Sequence, residues 1–150
     1  MMGRPLPFLR VMPVRPCPRE VNVAHVLVVD DDDDVRAVVA KGIGKLGHQV
    51  WDVADGAEAL ELLKTTPFDL IVSDVFMAEM DGMELLMRIQ QLELDVPVVL
   101  ISGGGFTSRD EVLRRAAACG AVATLDKPFT LEELWSVVRP LLPDAPAKKP

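Results

Sequence analysis

The stretch Asp69-Leu70-Ile71-Val72-Ser73-Asp74 decides how this chain folds. A short run of β-forming apolar residues bounded by loop residues reads as a strand buried on both faces. Because the run ends in Asp, a carboxylate sits at the strand's carboxyl end, where open α/β sheets keep their sites. One such aspartate is weak evidence, since helix N-caps are commonly Asp. The case for chemistry at Asp74 rests on what converges on it.

The same grammar repeats on either side. Upstream, Val26-Leu27-Val28-Val29 is a strand that stops at five aspartates, Asp30 to Asp34. Val35, Val38, Val39, Gly42, Ile43 and Leu46 follow at helical spacing, and Gly47 stands where a C′ glycine belongs. Asp33 or Asp34 is expected to cap that helix, with Asp32 simply solvated. Gln49-Val50-Trp51-Asp52-Val53 mixes polar and apolar residues as an edge strand does. Asp55-Gly56-Ala57-Glu58 resembles a capping box ahead of a helix carrying Leu60 and Leu63.

Downstream, an Asp81-Gly82 turn precedes a helix marked by Leu85, Leu86, Ile89 and Leu92. Val98-Val99-Leu100-Ile101 is a fourth strand, ending at Ser102 and three glycines. Ser108 and Glu111 have capping-box spacing before an Ala-rich helix that Gly120 ends. Ala121-Val122-Ala123-Thr124-Leu125 is the fifth and weakest strand. Thr130 and Glu133 box the start of a last helix with Leu131, Leu134, Trp135, Val138 and Leu142 on its apolar face. Five βα units in strict alternation predict a doubly wound parallel sheet, a (βα)5 flavodoxin-like architecture. The second and fifth strands are the least apolar, which puts them at the edges in the order 2-1-3-4-5.

Bulk properties narrow the function classes. A chain of 150 residues that is 49% hydrophobic fits one globular domain without disulfide staples. No apolar run is long enough to span a bilayer, so no membrane is expected. The two cysteines, Cys17 and Cys119, form no disulfide framework and point to a reducing, cytoplasmic setting. A net charge of −7 argues against a nucleic-acid surface. Residues 1–24 carry five prolines and four arginines without a usable period and are expected to be a disordered extension. The domain is expected over 25–142, with a disordered tail at 143–150.

In such a sheet the carboxyl ends of strands one, three, four and five share a rim, here Asp30 and Asp31, Asp74, Ser102, and Lys127. Crowded carboxylates repel one another unless a cation is present, and hard oxygen ligands at an open strand end suit Mg²⁺. Metal, ammonium and hydroxyl together can neutralise the oxygens of a phosphoryl group in transfer to a nucleophilic Asp74.

These residues resemble the receiver domain of two-component response regulators, the CheY-like family. The motifs are Val-Leu-Val-Val-Asp-Asp at 26–31, Asp-Leu-Ile-Val-Ser-Asp at 69–74, Met-Asp-Gly at 80–82, Ile-Ser-Gly at 101–103 and Lys-Pro-Phe at 127–129. The resemblance implies that Asp74 accepts phosphate from the phosphohistidine of a sensor histidine kinase. It also implies that Asp31, Asp74 and the main-chain carbonyl of Phe76 ligate Mg²⁺, with Asp30 acting through water. Ser102 and Lys127 would contact the phosphoryl oxygens, and Pro128 would follow a cis peptide bond. The only catalysis implied is the protein's own phosphorylation and dephosphorylation. Departures from the family pattern are Ala78, where a proline is usual, and Thr124, where an aromatic switch residue is usual. Phe76 and Gly104 occupy positions that tune dephosphorylation, and neither can orient an attacking water.

Only eight residues follow Leu142, so the expectation is a stand-alone receiver that signals to an unknown downstream protein. The face implied by the family is that of the fourth helix, fifth strand and fifth helix. A phosphorelay intermediate feeding a histidine phosphotransfer protein is the close alternative. A haloacid-dehalogenase-like hydrolase would need its motif forced onto Asp31, Asp33 and Val35, and a pseudo-receiver would leave the filled site unused. An EF-hand fails at Val35 and Lys41, and the glycines 103–105 lack the Gly-Lys-Ser/Thr of a P-loop.

Overall fold

The computed structural model describes residues 23–77, 80–103, 114–115, 117–118 and 120–143. Strands β1 (His25–Val29), β2 (Gln49–Val53), β3 (Leu70–Asp74), β4 (Val98–Ser102) and β5 (Ala123–Asp126) form one parallel sheet in the order β2-β1-β3-β4-β5. Four helices are bounded within the described residues, α1 (Asp33–Gly44), α2 (Gly56–Thr65), α3 (Gly82–Gln91) and α4 (Leu131–Val138), the last running into a 3-10 turn at Arg139–Leu141, and residues 114–115 and 117–118 are helical as well. Ala78, Gly104, Cys17, Cys119, the Ser108–Glu111 box and the tail beyond Pro143 lie outside the described residues.

Alternation along the strands builds two cores. Leu27, Val29, Ile71 and Leu100 face the layer with Leu60, Leu63, Leu85 and Ile89 of α2 and α3. Val26, Val28, Leu70, Val72, Val99 and Ile101 face the layer with Val39, Ile43, Leu134 and Val138 of α1 and α4. β3 and β4 are buried at all five positions, whereas β2 and β5 are not, as their mixed composition requires at an edge.

Local chemistry sets the ends of the helices. Asp55, Asp81 and Thr130 accept amide bonds from Glu58, Glu84 and Glu133, and Thr130 with Glu133 completes a reciprocal capping box. Glu58 reaches back to the amide of Ala54 rather than that of Asp55. Gly47 has φ 97°, the left-handed conformation expected after α1. Trp135 Nε1 donates to the Gly42 carbonyl at 2.9 Å and Arg139 lies over its ring, tying α4 to α1. Trp51 packs edge-on between His25 and Phe68.

Several expectations need correction. Asp32, not Asp33 or Asp34, is the N-cap of α1, accepting from the amides of Asp34 and Val35. The helix starts earlier because Asp30 Oδ1 takes the Asp32 amide and turns the chain at once. Val38 is 58% exposed, since it lies roughly a quarter turn from the centre of the stripe made by Val39, Gly42 and Ile43. Leu92 is the C-cap of α3 and is also exposed. β5 begins two residues later than read, at Ala123. Ala24, assigned to the extension, is buried, and its amide donates to His48 Nδ1 at 2.9 Å.

Leu134 is fully buried where α4 closes the second core. Leu134→Ala is expected to destabilise the fold by about 2–5 kcal/mol. Urea denaturation reads this as a lower midpoint, and a loss under about 1 kcal/mol would mean that α4 does not close that layer.

Candidate functional site

The ladder registers bring distant residues to one rim. Val29 pairs with Ser73, Asp74 with Ile101, and Ser102 with Asp126, so Asp30, Asp74, Ser102 and Lys127 all stand at strand ends on the same side. A single lysine answers two buried carboxylates there. Lys127 Nζ lies 3.4 Å from Asp74 Oδ1 and 3.7 Å from Asp30 Oδ2. Both oxygens are buried and neither has a well-directed hydrogen bond, so the lysine acts on them as a charge at the edge of bonding distance. Asp30, Asp31 and Asp74 offer carboxylate oxygens within 4.8 Å of one another, Asp31 from the solvent side.

The main chain fixes these positions. Asp30 N–H donates to Val53 O at 3.2 Å, and Val75 N–H donates to Ile101 O at 2.8 Å, just past Asp74. Lys127 N–H donates to Ser102 O at 2.8 Å, which locks the ends of β4 and β5 together. The Lys127–Pro128 peptide is cis. Gly82 opens α3 with its amide on Val75 O at 2.8 Å. A Cβ there would run into the Asp74 carbonyl, so the start of α3 rests directly on the Asp74 backbone.

Burial is expensive for these acids. Desolvation, and then the neighbouring Asp30 charge, push the Asp74 carboxyl up to about 6, against the pull of Lys127. Desolvation also raises Asp30, partly offset by the Asp32 amide and by Lys127. Two buried oxygens lacking hydrogen bonds in a three-carboxylate cluster are what a hard divalent cation would satisfy. The donor set therefore fits a metal of that class.

Comparison with known proteins bears on the same residues. A family model described as the response regulator receiver domain matches residues 26–139. Response regulator MprA of Mycobacterium sp. (strain KMS) is 37% identical over 133 residues, covering 82% of this chain and 56% of its own. MprA of Mycolicibacterium vanbaalenii is 38% identical over 120 residues, covering 79% and 50%. Among solved structures, the Vibrio cholerae chemotaxis protein CheY4 matches with a TM-score of 0.73 at 32% identity, covering 80% of this chain and 99% of that one. The receiver domain of Francisella response regulator 1452 matches with a TM-score of 0.71 at 30% identity, covering 79% and 95%. This chain belongs to the response regulator receiver family.

The receiver spans about half the length of the curated relatives it matches. Among its described residues no helix is long and apolar enough to cross a membrane. Of the residues singled out by sequence, Asp30 and Asp74 lie beside Lys127, Asp31 brings a carboxylate oxygen within 4.8 Å of theirs, and Ser102 joins them through the β4–β5 register. Phe76 follows β3 by two residues with its side chain half exposed. Thr124 sits mid-strand in β5 opposite Leu100. Two contributors to this receiver's rim carried no physical role in the sequence reading. Gly82 stands in the sequence as a turn residue and the end of the Met-Asp-Gly motif, with no contact assigned to it, although a glycine opening a helix hints at close backbone approach. Arg36, whose Nη1 donates to Asp30 O at 2.8 Å, was hidden among helix-surface charges.

The raised carboxyl of Asp74 makes this receiver's stability depend on pH. Its folded value lies above the ordinary 3.8, so the folded state keeps the proton longer than the unfolded chain does. Stability from this group is therefore greatest below the ordinary value and is lost as pH rises through about 6. At neutral pH the ionised group costs up to about 3 kcal/mol without a cation. Asp74→Asn is expected to raise the urea midpoint in chelator at pH 7.5, with the gain fading towards pH 4. An equal midpoint at pH 7.5 would contradict the burial cost.

Proposed function

We propose that this receiver accepts a phosphoryl group on Asp74 from the phosphohistidine of a sensor histidine kinase. The observation that carries the reading is the convergence of buried Asp74, Asp30 and Lys127 at one rim, with two acidic oxygens left for a cation. An Asp74 oxygen attacks phosphorus, the bond from phosphorus to the donor's ring nitrogen breaks, and the imidazole leaves with that electron pair. The product is a mixed anhydride on Asp74. Lys127, whose Nζ is 3.4 Å from Asp74, neutralises charge on the transferred oxygens, and the Ser102 hydroxyl at the end of β4 donates to one of them. Asp31, Asp74 and the Phe76 carbonyl would hold Mg²⁺, with Asp30 through water. When bound, that ion supplies charge neutralisation for the incoming phosphoryl group.

The protein catalyses only its own phosphorylation and dephosphorylation and is cytoplasmic, as a histidine kinase partner requires. Its output is a contact with a downstream protein through the face of β5 and its flanking helices, and it needs neither nucleic acid nor membrane. Thr124 cannot rotate an aromatic ring, so movement of Ser102 with its loop carries the signal. We assign 24–142 to the receiver, since Ala24 is buried and its amide bonds His48, and prefer direct signalling by protein contact over a phosphorelay intermediate. A hydrolase using Asp31 is disfavoured because Asp31 lies on the exposed side of the cluster, while Asp74 is the buried member beside Lys127.

Incubation with Mg²⁺ and acetyl phosphate is expected to add the mass of one phosphoryl group to the intact protein, and Asp74→Asn is expected to abolish it. An adduct that survives in Asp74→Asn, or none in the unaltered protein, would overturn the assignment. The exposed Phe76 ring cannot orient a water, so the adduct is expected to be long-lived and Phe76→Asn to shorten its lifetime. Equal decay in the two proteins would contradict that role.

A further inference from the structure

Two cations, Lys127 and Arg36, lie beside Asp30, and neither makes a well-directed hydrogen bond to its carboxylate, so charge alone does not hold that carboxylate in place. The main chain does. Asp30 is held at its polar atoms one by one: its N–H donates to Val53 O, and its Oδ1 accepts the Asp32 amide at 2.9 Å. Its carbonyl accepts Arg36 Nη1 at 2.8 Å, and its Oδ2 faces Lys127. The Asp30 carbonyl is half of the planar peptide that joins it to Asp31. A bond to that oxygen therefore sets the plane from which the Asp31 side chain departs.

Arg36 reaches that carbonyl from the second turn of α1. Its Nη2 donates to Asp33 Oδ1 at 2.7 Å and its Nε lies 3.5 Å from Asp52 Oδ2 on β2. The plain alternative is a surface arginine in an i,i+3 ion pair, and Asp33 is indeed 84% exposed. Such a pair contributes little. Arg36 itself is only 19% exposed, and its planar fork holds three partners on three segments at fixed angles, which a lysine cannot do.

We propose that Arg36 is a positioning residue for the metal site: anchored on Asp52, it grips the Asp30–Asp31 peptide and holds both carboxylates at the spacing a divalent cation needs. This rests on the Mg²⁺-dependent receiver reading above. Arg36 touches the Asp30 carbonyl, while the two carboxylate oxygens of Asp30 face the Asp32 amide and Lys127, so its grip is on the main chain.

The test is calorimetric titration of Mg²⁺ into the full chain without phosphodonor, for the unaltered protein, Arg36→Gln, Arg36→Lys and Asp52→Asn. Loss of a group that orients metal ligands commonly weakens affinity about 10–100-fold. Arg36→Gln is expected to fall in that range and Arg36→Lys to remain weakened. Asp52→Asn is expected to shift less, in the same direction. Unchanged affinity in Arg36→Gln overturns the proposal, and so does full recovery in Arg36→Lys, which would make charge the cause. If Arg36→Gln does not fold, Arg36→Lys and Asp52→Asn decide by the same criteria. Failure of the receiver reading looks different: the unaltered protein would bind Mg²⁺ yet take no phosphate on Asp74, and the titration would still judge Arg36.

Discussion

Two carboxylates withdrawn from water beside one ammonium form an arrangement that the rest of the molecule has to sustain. Asp30 and Asp74 are nearly inaccessible, they repel each other, and Lys127 is too far from either to satisfy it fully. Left alone, such a cluster would relax by protonation or by swinging a side chain out to solvent. It is prevented from doing so by the parallel ladder. Each carboxylate is attached to a strand buried at its centre, and the ends of those strands are pinned by main-chain bonds from Asp30 to Val53, Val75 to Ile101 and Lys127 to Ser102. The two hydrophobic layers supply the free energy that keeps charged groups where they are locally unfavourable.

That division of labour explains which parts of the protein could be read from the chain. Composition marked the edges of the sheet, because β2 and β5 carry residues that tolerate water and β3 and β4 carry none outside the site end, and the βα alternation supplied the doubly wound order between them. The rim followed from the same logic, since a residue placed directly after a buried parallel strand has nowhere else to go. Asp30, Asp74 and Ser102 were legible for that reason, whereas Lys127 follows the half-buried β5 and was legible only with Pro128 and Phe129 behind it.

What escaped was decided by contacts between segments that share no local pattern. The cap of α1 moved to Asp32 because Asp30 spends a side-chain oxygen on its neighbour's amide, a choice that five consecutive aspartates do not reveal. Val38 reads as part of an apolar stripe until the position of α4 shows where that stripe ends. The grip of Arg36 on the Asp30 carbonyl depends on β2 offering Asp52 beside it, and the seating of Gly82 on Asp74 depends on how α3 leaves the sheet. Helical and strand periods describe one element at a time, so they are silent about such meetings.

The two tryptophans give the fold an optical asymmetry. Trp51 packs with the layer under α2 and α3, against His25 and Phe68, whereas Trp135 is hydrogen-bonded to α1 and covered by Arg139 on the opposite face. Each helical layer thus holds one indole, in a different polarity. Intrinsic emission from the whole chain therefore combines a ring packed on one core with a ring at the seam of α4 and α1, and replacing either by phenylalanine would leave a signal from one of those two places alone.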